Sequence, residues 1–311
     1  MKKLLQLGML VALAGAICWP GGRSTSQTSD PVLIGAGDIA DGLNLNLSGA
    51  MATGALIDAY PGATVFADGD LPHNNGTDSD YAKGYAPAWG RFRGRTLPVI
   101  GNHEYYALNA AGIFNYFGTS LLGDTTKGYY STNLGAWHII VLNSNCSYVG
   151  GCDAGSPQEQ WLANDLATHS LAQFPCTLAL WHQPYYTSVA SGQGVAPDTE
   201  MQPIWQDLYN SNSTNNTHVQ LVVNGHAHNY ERFAAQDASG NRDTNHGVVE
   251  IITGTGGASH MTIGSLAANS LAQNGTTFGV LKLTLHASSY DFQFIPIAGQ
   301  SFTDSGTQAC H

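Results

Sequence analysis

The sequence predicts a layered α/β fold with a partly mixed sheet, and three observations carry that expectation. Short apolar runs of strand length alternate with helix-period segments for most of the chain. Strands dominate its C-terminal end, which adds antiparallel character. Five of the runs end in Asp, Asn or His: PVLIGAGD (31–38), TVFADGDLPH (64–73), LPVIGNHE (97–104), TLALWHQP (177–184) and VQLVVNGHAH (219–228). Ligands and active residues of open α/β sheets gather at the carboxyl ends of strands. Five such endings with metal-ligating side chains point to one shared site, with Asp70 at its centre.

The elements follow in order. Residues 31–38 read as a buried strand, and 48–60 as a helix stopped by Pro61-Gly62. A second strand covers 64–70. Residues 80–92 read as helical in part, interrupted by Gly84, Pro87 and Gly90. The third strand is 97–101, and 110–117 is a short aromatic helix. Residues 129–144 contain a strand at Trp137-His138-Ile139-Ile140-Val141-Leu142. Ser156-Pro157-Gln158-Glu159 has the form of a capping box with Pro at the first helical position, opening a helix to about His169. Strands are expected at 177–182 and 219–224, with a helix near 201–209 between them. The tail offers a strand at 247–253 and a hairpin of 277–286 with 289–297.

The 311 residues are enough for a substantial core. The net charge of −11 and the lack of any basic cluster argue against a nucleic-acid partner. Lys2-Lys3, the apolar run 4–13 and Ala14-Gly15-Ala16 read as an export signal over residues 1–16, with cleavage as late as about residue 25. No segment is long enough for a confident membrane span, so the expectation is a secreted or periplasmic protein without a membrane partner. Five cysteines suit an oxidising compartment. Cys146 could pair with Cys152 and Cys176 with Cys310, leaving Cys18; the alternative is that all are free thiols. Asn-x-Ser/Thr triplets at Asn75 and Asn212 are no more than such a composition gives by chance.

The candidate metal ligands are Asp38, Asp70, His73, Asn102, His182, His226 and His228. Carboxylates, an amide oxygen and imidazoles suit Zn, Mn or Fe and argue against Ca. The set is too large for one ion and suits two that share a carboxylate, roughly 3.5–4 Å apart, as in displacement at phosphorus. In His226-Ala227-His228 the flexible Gly225 and small Ala227 would let a turn aim the two rings at different ions. No G-x-S-x-G elbow supports a serine hydrolase.

Taken together, GDIA (37–40), GDLPH (69–73), GNHE (101–104), WHQP (181–184) and GHAHNYER (225–232) resemble the calcineurin-like metallophosphoesterases, in particular the purple acid phosphatase branch in its short bacterial form. The resemblance spans roughly residues 31–257 and is specific because five motifs stand in order. It implies an α/β/β/α sandwich with mixed sheets and a β-rich C-terminal end, formed by a single catalytic domain over 30–311. It also implies that Asp38 and His228 bind a first metal, that Asp70 bridges, and that Asn102, His182 and His226 bind a second. His103 then assists the substrate phosphate or protonates the leaving group, or serves only as a hydrogen bonder behind the site; Glu104 is structural.

Two departures from the pattern matter. Ala40 stands where the wider family has a histidine, as in the purple branch. That branch has a metal-binding tyrosine three residues after the bridging Asp, where this chain has His73. A phenolate is a hard anionic ligand that favours ferric iron, whereas an imidazole is neutral and better suited to divalent ions. The expectation is that His73 ligates the first metal and the protein is not purple; the alternative is that His73 turns away and water takes its place.

The implied function is an exported phosphatase hydrolysing small phosphate monoesters by attack of a metal-bound hydroxide. A phosphodiesterase or nucleotide-acting hydrolase on the same site is the runner-up, and a catalytically silent metal-binding protein the third reading. Among the remaining histidines, His138 is expected in the core, and His260 is expected to stay out of the pocket. Tyr105, Tyr185 and Tyr230 are read as packing around the motifs. The ion pair, the substrate and the oligomeric state stay open.

Overall fold

The computed structural model describes residues 30–41, 46–72, 74–214 and 217–311. The export segment, Cys18 and His73 lie outside them. No helix among the described residues is long and apolar enough to cross a membrane.

Two mixed sheets face each other. The strands are β1 (Val32–Ala36), β2 (Thr64–Asp68), β3 (Thr96–Val99), β4 (Tyr130–Leu134), β5 (Trp137–Val141), β6 (Cys176–Leu180), β7 (Val219–Asn224), β8 (Tyr230–Phe233), β9 (Val249–Thr253), β10 (Ser270–Asn274), β11 (Gly279–Leu285), β12 (Ser289–Pro296) and β13 (Ser305–Ala309). One sheet runs β13-β12-β11-β1-β2-β3, the other β10-β8-β9-β7-β6-β5-β4. β1, β2 and β3 are parallel, as are β5, β6, β7 and β9, while the remaining edges are antiparallel. This is the mixed α/β sandwich the sequence implied.

Alternation along the strands builds the layers. Ile139, Val141, Leu178, Leu180, Leu221 and Val223 point inward and join Leu281, Leu283 and Phe292 of the other sheet in one core. Their neighbours Ile140, Ala179, Trp181 and Val222 face outward and pack against Leu162 of helix Pro157–Thr168 and Ile204, Trp205 and Leu208 of helix Gln202–Ser213. Period-two side chains thus serve two cores at once. Helix Ser48–Asp58 covers the first sheet through Ala50 and Ile57.

Both disulfides left open by the sequence are formed, Cys146–Cys152 and Cys176–Cys310. The second spans 134 residues and ties the C-terminal end to the start of β6. The capping box is only half realised: Ser156 Oγ accepts from Glu159 N, but the Glu159 carboxylate turns to Gly155 N instead of closing the box. Residues 80–92, expected to be helical in part, are so: the segment passes through a π-helical turn at Tyr81–Tyr85 before a 3-10 segment at Gly90–Arg95. β8, β10 and β13 were not expected. The last two, SLAQN and SGTQA, are polar edge strands that lack the usual apolar pattern.

Candidate metal centre

The carboxyl ends of β1, β2 and β3 and those of β6 and β7 meet at one edge of the sandwich, and Asp38, Asp70, Asn102, His182, His226 and His228 follow these strands there. Asp38, Asp70 and His226 each have positive φ, 56°, 53° and 64°. A left-handed backbone at non-glycine residues is costly and clusters where function fixes it. It ends the extended run after each strand. The turn in Gly225–His228 therefore lies in His226 itself. Gly225 serves close approach instead, since a Cβ there would sit 2.5 Å from Asp68 O and 2.9 Å from Asp38 Oδ2.

Six of the seven sequence-derived ligands thus converge, and His73 lies outside the described residues. Ligand atoms of Asp70, His182 and His226 all fall within 4.8 Å of one another. His182 Nε2 is 3.2 Å from Asp70 Oδ2, and His228 Nε2 is 3.2 Å from Asp38 Oδ1. His226 N donates to Asp38 Oδ2 (2.8 Å), and His103 N donates to Asp70 Oδ1 (2.9 Å). Each carboxylate is thereby fixed by one oxygen, leaving the other turned to a ring nitrogen.

The hydrogen-bond partners set the tautomers. Nδ1 of His182 lies 2.8 Å from Asp68 O, and Nδ1 of His228 lies 2.6 Å from Ser259 O. A carbonyl only accepts, so Nδ1 carries the proton and Nε2 is left to face a carboxylate oxygen. Only a cation or an extra proton can sit between them. Asp38 Oδ1, Asn102 Oδ1 and His182 Nε2 are buried and make no hydrogen bond, which in native interiors calls for an ion or water. Two carboxylates, one amide oxygen and three imidazoles therefore fit borderline divalent cations, with backbone carbonyls orienting the rings from behind.

Electrostatics agree. Burial disfavours a charged His182, but the Asp70 carboxylate outweighs it and pushes the pKa up to about 10 when no metal is present. Burial, then the neighbouring His182, pushes His226 down to about 4, so its ring is neutral and in ligating form. For Asp38, burial is overcome by His228, and the pKa is lowered.

Glu104 supports the site structurally. Oε2 accepts from Asp70 N (2.9 Å) and Gly101 N (2.7 Å), and Oε1 from Leu71 N (2.9 Å). It holds the loops after β2 and β3 together, as expected. His103 has Nδ1 2.7 Å from Asn74 O, which turns Nε2 toward the cleft, 3.8 Å from Asp70 Oδ2.

An open cleft of about 490 Å³ covers the ligands, lined among others by Asn102, His103, Tyr106, Gln193, His226 and His260. Against expectation, His260 forms part of the wall, its ring stacked on Phe278 at 4.0 Å. The loop bearing it pairs with the loop after β6 through Val189↔Ile263 and Ala190 N→Thr262 O. Gln193 was missed for the same reason, whereas Tyr106 reaches the cleft locally, from the 3-10 turn His103–Tyr106, its ring 4.7 Å from that of His103. Asp68 was also missed. Both its oxygens are buried without a hydrogen bond, and burial drives its pKa well up.

With this geometry in place, comparisons with known proteins agree. A family model described as calcineurin-like phosphoesterase matches residues 51–230, more than half of the chain. The chain belongs to that family. Within it, the chain is similar to the purple acid phosphatases. It is 30 % identical over 283 residues to Purple acid phosphatase 13 of Arabidopsis thaliana, covering 76 % of this chain and 48 % of the relative. It is 31 % identical over 176 residues to the "Probable purple acid phosphatase 20" of the same plant, covering 50 % and 39 %. The chain thus spans less than half the length of these relatives. A solved purple acid phosphatase from yellow lupin seeds superposes with a TM-score of 0.71 at 20 % identity, over 91 % of this chain and 54 % of that one, a likeness of fold.

Proposed function

We propose that the chain is an exported, metal-dependent phosphatase that hydrolyses small phosphate monoesters at a binuclear centre. The observation that carries this reading is the trio of buried ligand atoms left without well-aligned hydrogen bonds, Asp38 Oδ1, Asn102 Oδ1 and His182 Nε2, beside an open cleft that Asn102 lines together with Asp70, His226 and His228. Family membership and the donor set support two ions of the Fe, Zn or Mn kind. Bound there, they would activate water and polarise the phosphoryl oxygens.

The chain's own residues do the rest. Asp38 and His228 would hold one ion and Asn102, His182 and His226 the other, with Asp70 shared between them and its orientation set by the Glu104 carboxylate beneath its backbone N–H. His73, which lies outside the described residues, would join Asp38 and His228. His103 holds its Nδ1 proton against Asn74 O and presents Nε2 beside Asp70, where it can steady a phosphoryl oxygen or carry a proton to the departing alkoxide. No serine or cysteine nucleophile is needed, so the phosphoryl group passes to water in one displacement with inversion.

The experiment is a panel of an aryl monophosphate and an aryl phosphodiester with metal-loaded protein. Preference for the monoester is expected. Preference for the diester would make the chain a phosphodiesterase, and no turnover of either would make it a silent metal-binding protein. Loss of turnover in Asn102→Ala with the fold retained would exclude the silent reading. The visible spectrum of the natively loaded protein tests His73: an intense tyrosinate-to-iron band would contradict its assignment.

A further inference from the structure

The metal cleft does not end at the ligands. Past Gly194 and His226 it continues into a second compartment of about 360 Å³ that reaches Tyr148, Asp198 and Glu200. Among the described residues, neither compartment is lined by a lysine or an arginine. The described basic residues lie elsewhere, Arg232 paired with Asp304 and Arg91 with Asp58. Outside the metal position and the histidines, no side-chain cation of the lining therefore meets an anion.

The second compartment offers neutral donors in part only. Both Nδ2 hydrogens of Asn145 are spent, one on Ile100 O and one on Asn143 Oδ1. Gln183 Nε2 donates to Asn145 Oδ1, and its own oxygen takes the Ser144 hydroxyl. Facing outward are the Ser147 and Tyr148 hydroxyls, the Asp198 and Glu200 carboxylates, and the ring of Tyr148, 55 % exposed and stacked on Tyr105 at 4.0 Å; the charged groups among them are all anionic. The carboxylates are not on a loose loop. Asp198 N donates to Pro184 O, two residues beyond His182, and Asp198 Oδ1 accepts from Glu200 N. Carboxylates beside an aromatic face are the chemistry that receives an ammonium group.

We propose that this trough makes the site selective for a single phosphoryl group on an alcohol that bears an ammonium group, and selective against polyphosphorylated substrates, with Asp198 and Glu200 setting the preference. The inference rests on the phosphatase reading above. A second phosphate along the trough would meet two carboxylates and no compensating cation, and the chain's net charge of −11 would oppose its approach. A neutral alcohol falls between these extremes.

The test compares kcat/KM for phosphoethanolamine, glycerol 3-phosphate and ATP on the metal-loaded protein, at low and high salt. The expected order is the one just given, with about a tenfold span from first to last that narrows as salt is added. In Asp198→Asn/Glu200→Gln, which keeps the capping oxygen at 198, the phosphoethanolamine-to-ATP ratio should fall to within about twofold, whatever happens to the absolute rates. A general loosening of the loop would lower all three substrates alike and leave the ratio in place. ATP equal to or better than phosphoethanolamine in the unaltered protein, or an unchanged ratio in the double variant, overturns the inference and leaves the phosphatase standing. Hydrolysis of none of the three overturns both.

Discussion

Two groups of histidine and carboxylate among the described residues bring three ligand atoms together, and they differ in whether their polar atoms are satisfied. At the sandwich edge, Asp70, His182 and His226 bring ligand atoms within 4.8 Å; on the flank, His138, Asp165 and His169 do the same. In the flank cluster His138 is closed on both sides, Nδ1 to Asn133 Oδ1 at 2.7 Å and Nε2 to Asp165 Oδ2 at 2.6 Å. His169 stacks on it at 3.8 Å and binds Asp165 O through Nδ1. At the edge, Asn102 Oδ1 has no hydrogen bond, and Asp38 Oδ1 and His182 Nε2 face only a ring nitrogen and a carboxylate oxygen at 3.2 Å, without closing a well-aligned hydrogen bond. Residue types alone do not separate a metal centre from a structural cluster. The distinction is whether the chain completes its own polar contacts or leaves them for a ligand.

That contrast can be broken at several points. The largest effect is expected at Asn102→Ala: hydrolysis should drop by on the order of 10³-fold, with circular dichroism showing an intact fold. Asp165→Ala should behave in the opposite way. It strands His138, which is fully buried, and should cost about 3 kcal/mol in urea unfolding while leaving metal content and hydrolysis in place. Equal damage to activity from both variants would collapse the distinction.

The third effect is pH dependence in the metal-free protein. His182 has a folded pKa of about 10 against an ordinary 6.5. A raised pKa means that the folded state binds the proton more tightly, so the stabilisation is complete below pH 6.5 and is lost as pH rises toward 10. Thermal melts of the chelated protein should fall across that window, and metal loading should remove the fall because the cation replaces the proton. A metal-free melt that is flat from pH 6.5 to 10 would count against the assigned geometry. The smallest effect is Ser156→Ala, which removes the cap of the helix carrying Asp165. It should cost about 1 kcal/mol, with no change in metal content.

The sequence revealed one side of this contrast better than the other. Asp38, Asp70, Asn102, His182, His226 and His228 were legible because each follows an apolar run, and topology carries strand ends to one edge. His138 was legible as a core residue from its place inside a strand, but its pairing with Asp165 was not, since that needs the packing of a helix on β5. The cleft walls were legible least. His260 and Gln193 reach it through loops that pair across tens of residues, and no local period marks such contacts. The left-handed backbone at Asp38, Asp70 and His226 likewise leaves no compositional trace, because none of the three is glycine.

The most direct test of the contrast is metal content per chain for the unaltered protein, His182→Ala and His138→Ala, purified side by side. The unaltered protein and His138→Ala should each retain two equivalents, and His182→Ala should retain fewer. Metal kept by His182→Ala and lost from His138→Ala would place the ions on the flank and contradict the account.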